Sequence, residues 1–192
     1  TASGEILHCS NEVKPDIFKA AQISLGTLGI ISKITLQCVP AYKLHYQASK
    51  EDVETCLNNL QDYIANNRNY EFYWFPHTNT VQNKFSNITE EAAQKNSPLN
   101  YLNDYVIENG LFGAISAFTR LAPKSSKSVA KISAAAVGTT SKINWSHLVY
   151  ATPRLVKFNE MEYNIPIESF EEVFLEVLDA IERYQFKVHF PL

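Results

Sequence analysis

Residues 41–192 carry the order strand, helix, strand twice, and this repeat most limits what the chain can fold into. In the first run, Tyr42–Ala48 alternates as a strand. Val53, Cys56, Leu57, Leu60, Tyr63 and Ile64 recur at helical spacing, and Glu71–Phe75 is an aromatic strand. Ser49-x-x-Asp52 gives that helix a start like a capping box, with Asp a weaker third-position partner than Glu. In the second run, Leu155–Ile165 reads as a strand, and Pro166 and Glu168 open a helix. Phe170, Val173, Phe174, Val177, Leu178 and Ile181 form its apolar stripe, and Phe186–Phe190 is the next strand. Two such runs commonly build one antiparallel sheet with both helices on one face. The expected fold class is therefore α+β, with a ferredoxin-like sheet.

Pro40 marks a boundary. Before it, Glu5–Cys9 reads as a short strand. Pro15 and Asp16 start a helix carried by Phe18, Ala21 and Gln22, which stops before Leu25-Gly-Thr-Leu-Gly29. Ile30–Val39 is β-branched and apolar, a strand that Pro40 ends. The expected domains are thus 1–40 and 41–192, the latter with a helical insertion at about 80–150. In that insertion Ser97-Pro98 caps a helix through Tyr101, Leu102 and Tyr105, Gly110 and Gly113 interrupt two helices, and Ser133–Thr140 is rich in small residues. Both ends read as cut from something longer: Thr1 opens a turn entering a strand, and Leu192 stops in or just after one.

Composition excludes several classes. A net charge of −3 offers no basic face for nucleic acid. No apolar run reaches the roughly 18 residues of a membrane-spanning helix. Cys9, Cys38 and Cys56 are odd in number and far apart, without a C-x-x-C pair, and the five histidines lack metal-ligand spacing. No disulfide framework or zinc site is expected, and the compartment implied is reducing, hence cytoplasmic.

Four features invite a functional reading, and each has a plain alternative. Gly26 and Gly29 follow a helix and precede a strand, the wrong order for a Rossmann fingerprint or a P-loop. They are either a helix C-cap and turn, or a bare main chain that approaches a flat or anionic ligand. Glu160 and Glu162 on a strand would share one face, roughly 7 Å apart. They are either a solvent-facing side alternating with Asn159, Met161 and Tyr163, or a general acid/base pair in which one carboxyl raises the pKa of the other. His77 is a loop hydrogen-bonder or a base without a visible partner. Lys124, Lys127 and Lys131 fall on one helical face, either solvated or membrane-facing.

Three segments, taken in order, resemble the sugar-1,4-lactone oxidases, FAD-linked oxidases of the vanillyl-alcohol-oxidase class. They are Asp16–Pro40 around Leu-Gly-Thr-Leu-Gly-Ile, Glu71-Phe-Tyr-Trp-Phe-Pro-His-Thr78, and Val156–Pro166 with the closing His189-Phe-Pro-Leu192. The resemblance implies that residues 1–40 end an FAD-binding domain, with backbone at Gly26, Thr27, Leu28, Gly29 and Ile30 against FAD. It implies that 41–192 form a cap domain whose sheet, with Glu160 and Tyr163 on one strand, covers the flavin ring and the pocket for a sugar lactone or polyol. Hydride transfer to flavin, with O₂ or another acceptor, is the implied activity, and some members are membrane associated. The family's Gly-rich pyrophosphate loop would lie before Thr1 and its Glu-x-Arg pair after Leu192. An internal fragment that holds FAD poorly and turns nothing over is therefore expected. Two rivals stay open: a non-enzymatic ferredoxin-like binding module, which packs its first 40 residues into its own core, and a small hydrolase using Glu160 and Glu162.

Overall fold

The computed structural model describes residues 1–94, 109–151, 155–157 and 161–188. The chain divides into two compact units, Thr1–Pro40 and Ala41–Leu192.

The first unit holds one helix, α1 (Pro15–Gln22), with Pro at its first turn, Asp16 near the positive end of the helix dipole and Lys19 near the negative end. The expected strands Glu5–Cys9 and Ile30–Val39 do not form: neither segment pairs with another strand among the described residues. The β-branched side chains favour an extended chain, but a strand also needs a neighbour to receive its N–H and C=O groups. Ile6, Ile30, Ile34, Leu36 and Val39 are consequently exposed.

The second unit is built on a four-stranded antiparallel sheet. Its strands are β1 (Lys43–Asp52), β2 (Asn69–Trp74), β3 (Thr80–Thr89) and β4 (Thr140–Trp145), in the spatial order β2-β3-β1-β4. Between β1 and β2 lie α2 (Val53–Asn58) and α3 (Leu60–Asn66). Between β3 and β4 lie α4 (Asn109–Leu121) and α5 (Ser126–Ala136). After β4 come α6 (Ser146–Tyr150) and α7 (Phe170–Arg183). This strand order is that of the ferredoxin-like arrangement, so the α+β class stands.

Its parts differ from the sequence reading in four ways. The second helix cap is Asp52, not a box begun at Ser49: Asp52 accepts from the Thr55 N–H at 2.9 Å and hydroxyl at 2.7 Å, while Ser49 lies within β1. The single helix expected from Val53 breaks at Asn59, whose side chain folds back onto the Thr55 carbonyl at 2.9 Å. Gly110 and Gly113 do not interrupt anything; α4 runs through both. The span 80–150 is not purely helical, because β3 and β4 supply the second pair of strands. The positions expected for them do not: 161–165 and 186–188 are outside the sheet, with Met161 and Tyr163 exposed. The helix expected over Ser97–Tyr105 lies outside the described residues.

Alternation along the strands puts Tyr70, Phe72 and Trp74 beside Phe85, Asn83 and Val81 on one face. Against that face pack Val53 and Cys56 of α2, and Phe174, Leu178 and Ile181 of α7. Here Phe170, Phe174, Leu178 and Ile181 of the expected apolar stripe find their place, whereas Val177 stays 40% exposed. Phe174 meets Phe72 and Trp74 edge-on, with ring centroids 5.4 and 6.1 Å apart. The opposite face carries Tyr46, Tyr73, Lys84 and Lys142. Each lysine lies over a ring: Lys84 is 3.9 Å from the Tyr73 centroid and Lys142 is 5.2 Å from that of Tyr46.

Candidate functional site

The Leu25–Ile30 segment is a tight turn. Both of its central residues, Leu25 and Gly26, have positive φ, 50° and 76°, and the Thr27 N–H closes it onto the Ser24 carbonyl at 2.9 Å. Positive φ at both centres marks a type I′ turn, for which Gly is the natural residue and Leu a strained one. A Cβ on Gly26 would meet nothing within 4 Å, so the turn is open on that side. Gly29, at φ 134°, differs: a Cβ there would come within 3.3 Å of the Thr1 backbone. Leu25 and Ile30 are 92% and 94% exposed. Among the described residues, the amides of Gly26, Leu28, Gly29 and Ile30 have no internal partner. Four bare N–H groups on an exposed, side-chain-poor bend suit a ligand rich in acceptor oxygens, as a dinucleotide is. The residues present therefore fit FAD.

The two-glutamate reading has lost its geometric support. Glu160 lies outside the described residues. Glu162 and Tyr163 are exposed and lie in irregular chain, so strand spacing does not set their faces.

His77, by contrast, has a partner that sequence spacing could not reveal. The β2–β3 hairpin tip places it at φ 63°, and its Nδ1 bonds to a carboxylate oxygen of Glu182, 105 residues away on α7. The other Glu182 oxygen accepts from Lys127 Nζ of α5 at 3.0 Å. These two partners, His77 first, hold the Glu182 carboxyl below its ordinary range. Three elements are thus tied through one carboxylate. The imidazole is only 2% exposed and its Nε2 is buried without a partner. Around it is a cleft of about 410 Å³, into which Trp74, Asn79, Lys131 and Leu178 also face. Of the three lysines read as one face, Lys127 and Lys131 line this cleft on α5. Lys124 sits before them, in the 3₁₀ turn Pro123–Ser125.

A second polar cluster lies inside the helix-covered face. Tyr70 donates to Asn83 Oδ1 at 2.8 Å, and the Cys56 thiol reaches the same oxygen at 3.5 Å. Asn83 Nδ2 donates to Glu51, whose other oxygen accepts from Tyr63 at 3.1 Å. Burial pushes both the Tyr70 hydroxyl and the Cys56 thiol upward in pKa. A thiol so held is protonated and inert. This cluster therefore stabilises the fold and offers no nucleophile. No group of three or more metal-ligating side chains exists among the described residues, and none of their helices is long and apolar enough to cross a membrane.

Comparison with known proteins adds a lineage to this geometry. A family model described as D-arabinono-1,4-lactone oxidase matches residues 34–192. An L-gulono-1,4-lactone dehydrogenase of Mycobacterium tuberculosis is 29% identical over 192 residues, covering all of this chain and 44% of that protein. An L-gulonolactone oxidase of Bos taurus is 28% identical over 195 residues, with the same coverages. A D-arabinono-1,4-lactone oxidase of Candida albicans is 28% identical over 202 residues, covering all of this chain and 36% of that protein. The chain thus spans less than half the length of each of these relatives.

Proposed function

Because the chain belongs to the D-arabinono-1,4-lactone oxidase family, we propose that it is part of an FAD-dependent oxidoreductase acting on a CH–OH group of a sugar 1,4-lactone or related alditol. Residues 1–40 are its share of the FAD-binding domain, and 41–192 are the cap over the substrate. Bound FAD supplies the redox chemistry, taking up hydride from the carbinol carbon and passing electrons to O₂ or another acceptor.

The observation that carries this reading is the open turn at Gly26–Ile30. Its unpartnered amides suit acceptor oxygens of a dinucleotide, and Gly26 leaves room for a close approach. The exposed apolar row of Ile30, Ile34, Leu36 and Val39 favours it over a self-contained binding module, which would bury these residues. The three free cysteines favour a reducing, cytoplasmic compartment.

The complete protein tests this directly. Purified, it should carry a flavin spectrum and oxidise a 1,4-lactone. Gly26→Val places a branched side chain at a φ of 76° and should lower flavin retention by roughly tenfold or more, with secondary structure unchanged. A colourless, flavin-indifferent protein, or a Gly26→Val variant that retains flavin in full, would refute the reading.

A further inference from the structure

The His77 cleft is not used by the function just proposed, and its chemistry is specific. Glu182, ionised and held by two donors, can only accept hydrogen bonds. The proton shared with His77 therefore sits on Nδ1, and Nε2 is the ring nitrogen left without a partner, buried behind the cleft wall. Buried polar atoms are normally met, so this one calls for a hydrogen-bonding partner that the described residues do not provide. Lys131 and Asn79 also line the cleft, and among the described residues Lys131 has no ion-pair partner and the Asn79 amide no hydrogen bond. Trp74 and Leu178 give the cleft an apolar side. Its volume of about 410 Å³ suits a small molecule. The wall thus asks for three things in one ligand: a hydroxyl for His77, an anionic group for Lys131, and a short carbon chain between them.

We propose that this cleft binds an aldonate, the polyhydroxy carboxylate formed when water opens a 1,4-lactone ring. The carboxylate pairs with the Lys131 ammonium, a hydroxyl hydrogen-bonds His77 Nε2, and Asn79 bonds a neighbouring oxygen. The identity of the anion rests on the lactone reading above; the need for a hydroxylated anion rests on the cleft alone. Nε2 has no solvent contact while the cleft is empty, so seating the ligand requires the hairpin tip to yield. His77, held in the left-handed region, is the residue that would move. An aldonate bound here would report ring-opened substrate to the α5–α7 side of the cap.

The test is calorimetric titration of the complete protein with D-arabinonate, with inorganic phosphate and D-arabinitol as comparators, and with the His77 ring protons followed by NMR. Binding of the aldonate with a shift of the His77 signal is expected, with phosphate and the neutral polyol each weaker by roughly tenfold or more. Lys131→Met, a surface change that leaves the fold intact, should weaken the aldonate by a similar factor. His77→Gln adds a second reading if it folds. No heat and no ring shift at about 10 mM aldonate, equal binding of phosphate, or an unaffected Lys131→Met variant would each overturn the proposal. Lactone oxidation is assayed separately on the same preparation. Activity without aldonate binding sinks the cleft alone, and aldonate binding without activity or flavin sinks the functional reading and leaves the cleft standing.

Discussion

Asn83 is the residue whose removal should cost the cap most for its size. It is 1% exposed at the centre of the helix-covered face, where its carbonyl oxygen receives Tyr70 and Cys56 and its amide serves Glu51. Asn83→Ala removes one neutral hydrogen bond, one weak thiol contact and one bond to a charged group. At about 1 kcal/mol for the first and 1.5–3 kcal/mol for the last, the loss is about 2–4 kcal/mol. Tyr70→Phe removes the first together with the 3.3 Å contact of the tyrosine hydroxyl with Cys56 Sγ, and should cost about 1 kcal/mol. The two are not independent, because Asn83→Ala leaves the tyrosine hydroxyl with only the weak Cys56 thiol contact. Adding Tyr70→Phe to Asn83→Ala should then cost little or recover part of the loss, a coupling of about 1 kcal/mol. Native-state hydrogen exchange at the Val81 and Asn83 amides of β3 reads the local free energy without requiring the whole protein to unfold in one step. Strict additivity of the two substitutions, or a loss under about 1 kcal/mol for Asn83→Ala, would refute the view that this network works as a unit.

Two further outcomes follow from the polar contacts. Glu182 has its folded pKa lowered below the ordinary 4.5, so the stability it lends the hairpin–helix tie is complete above that value and fades as pH falls through the lowered one. Protection of the Thr78 amide should drop in that acid window, and Glu182→Gln should remove the pH dependence; a pH profile unchanged by the substitution would count against the tie. Its carboxylate is 49% exposed, so the effect is modest. Asp52→Ala should quicken exchange at the Thr55 amide, whereas Ser49→Ala should leave it alone; the reverse result would restore the earlier cap.

Periodicity made the helix side of the cap legible. The stripe Phe170–Ile181 and the aromatic run Glu71–Phe75 are where side chains repeat cleanly and where burial follows. β3 escaped notice because a polar residue, Asn83, occupies the middle of its buried face and breaks the apolar alternation between Val81 and Phe85. β4 escaped because it follows a small-residue stretch and borders β1 by backbone pairing, not by a side-chain pattern. The strands expected in 1–40 had the right residues, but no neighbour pairs with them. The turn at Gly26 was legible from its glycine, although the turn alone does not say what it binds. The His77–Glu182 pair was not, because nothing local in a sequence reports a contact across 105 positions. The spacing argument for Glu160 and Glu162 presumed a strand, and the irregular chain at 161–165 removes that premise.

The register of the sheet has a consequence for biosynthesis. β1 is the inner strand that waits longest: Lys43 meets Thr89 on one side, but its other neighbour, Trp145, is made about a hundred residues later. During translation the β2–β3 hairpin and β1 can assemble early, while the far edge of β1 stays open to any passing extended segment until β4 leaves the ribosome. Slow synthesis through residues 90–139 would lengthen that exposure, and chaperone dependence of the nascent cap should rise and fall with it.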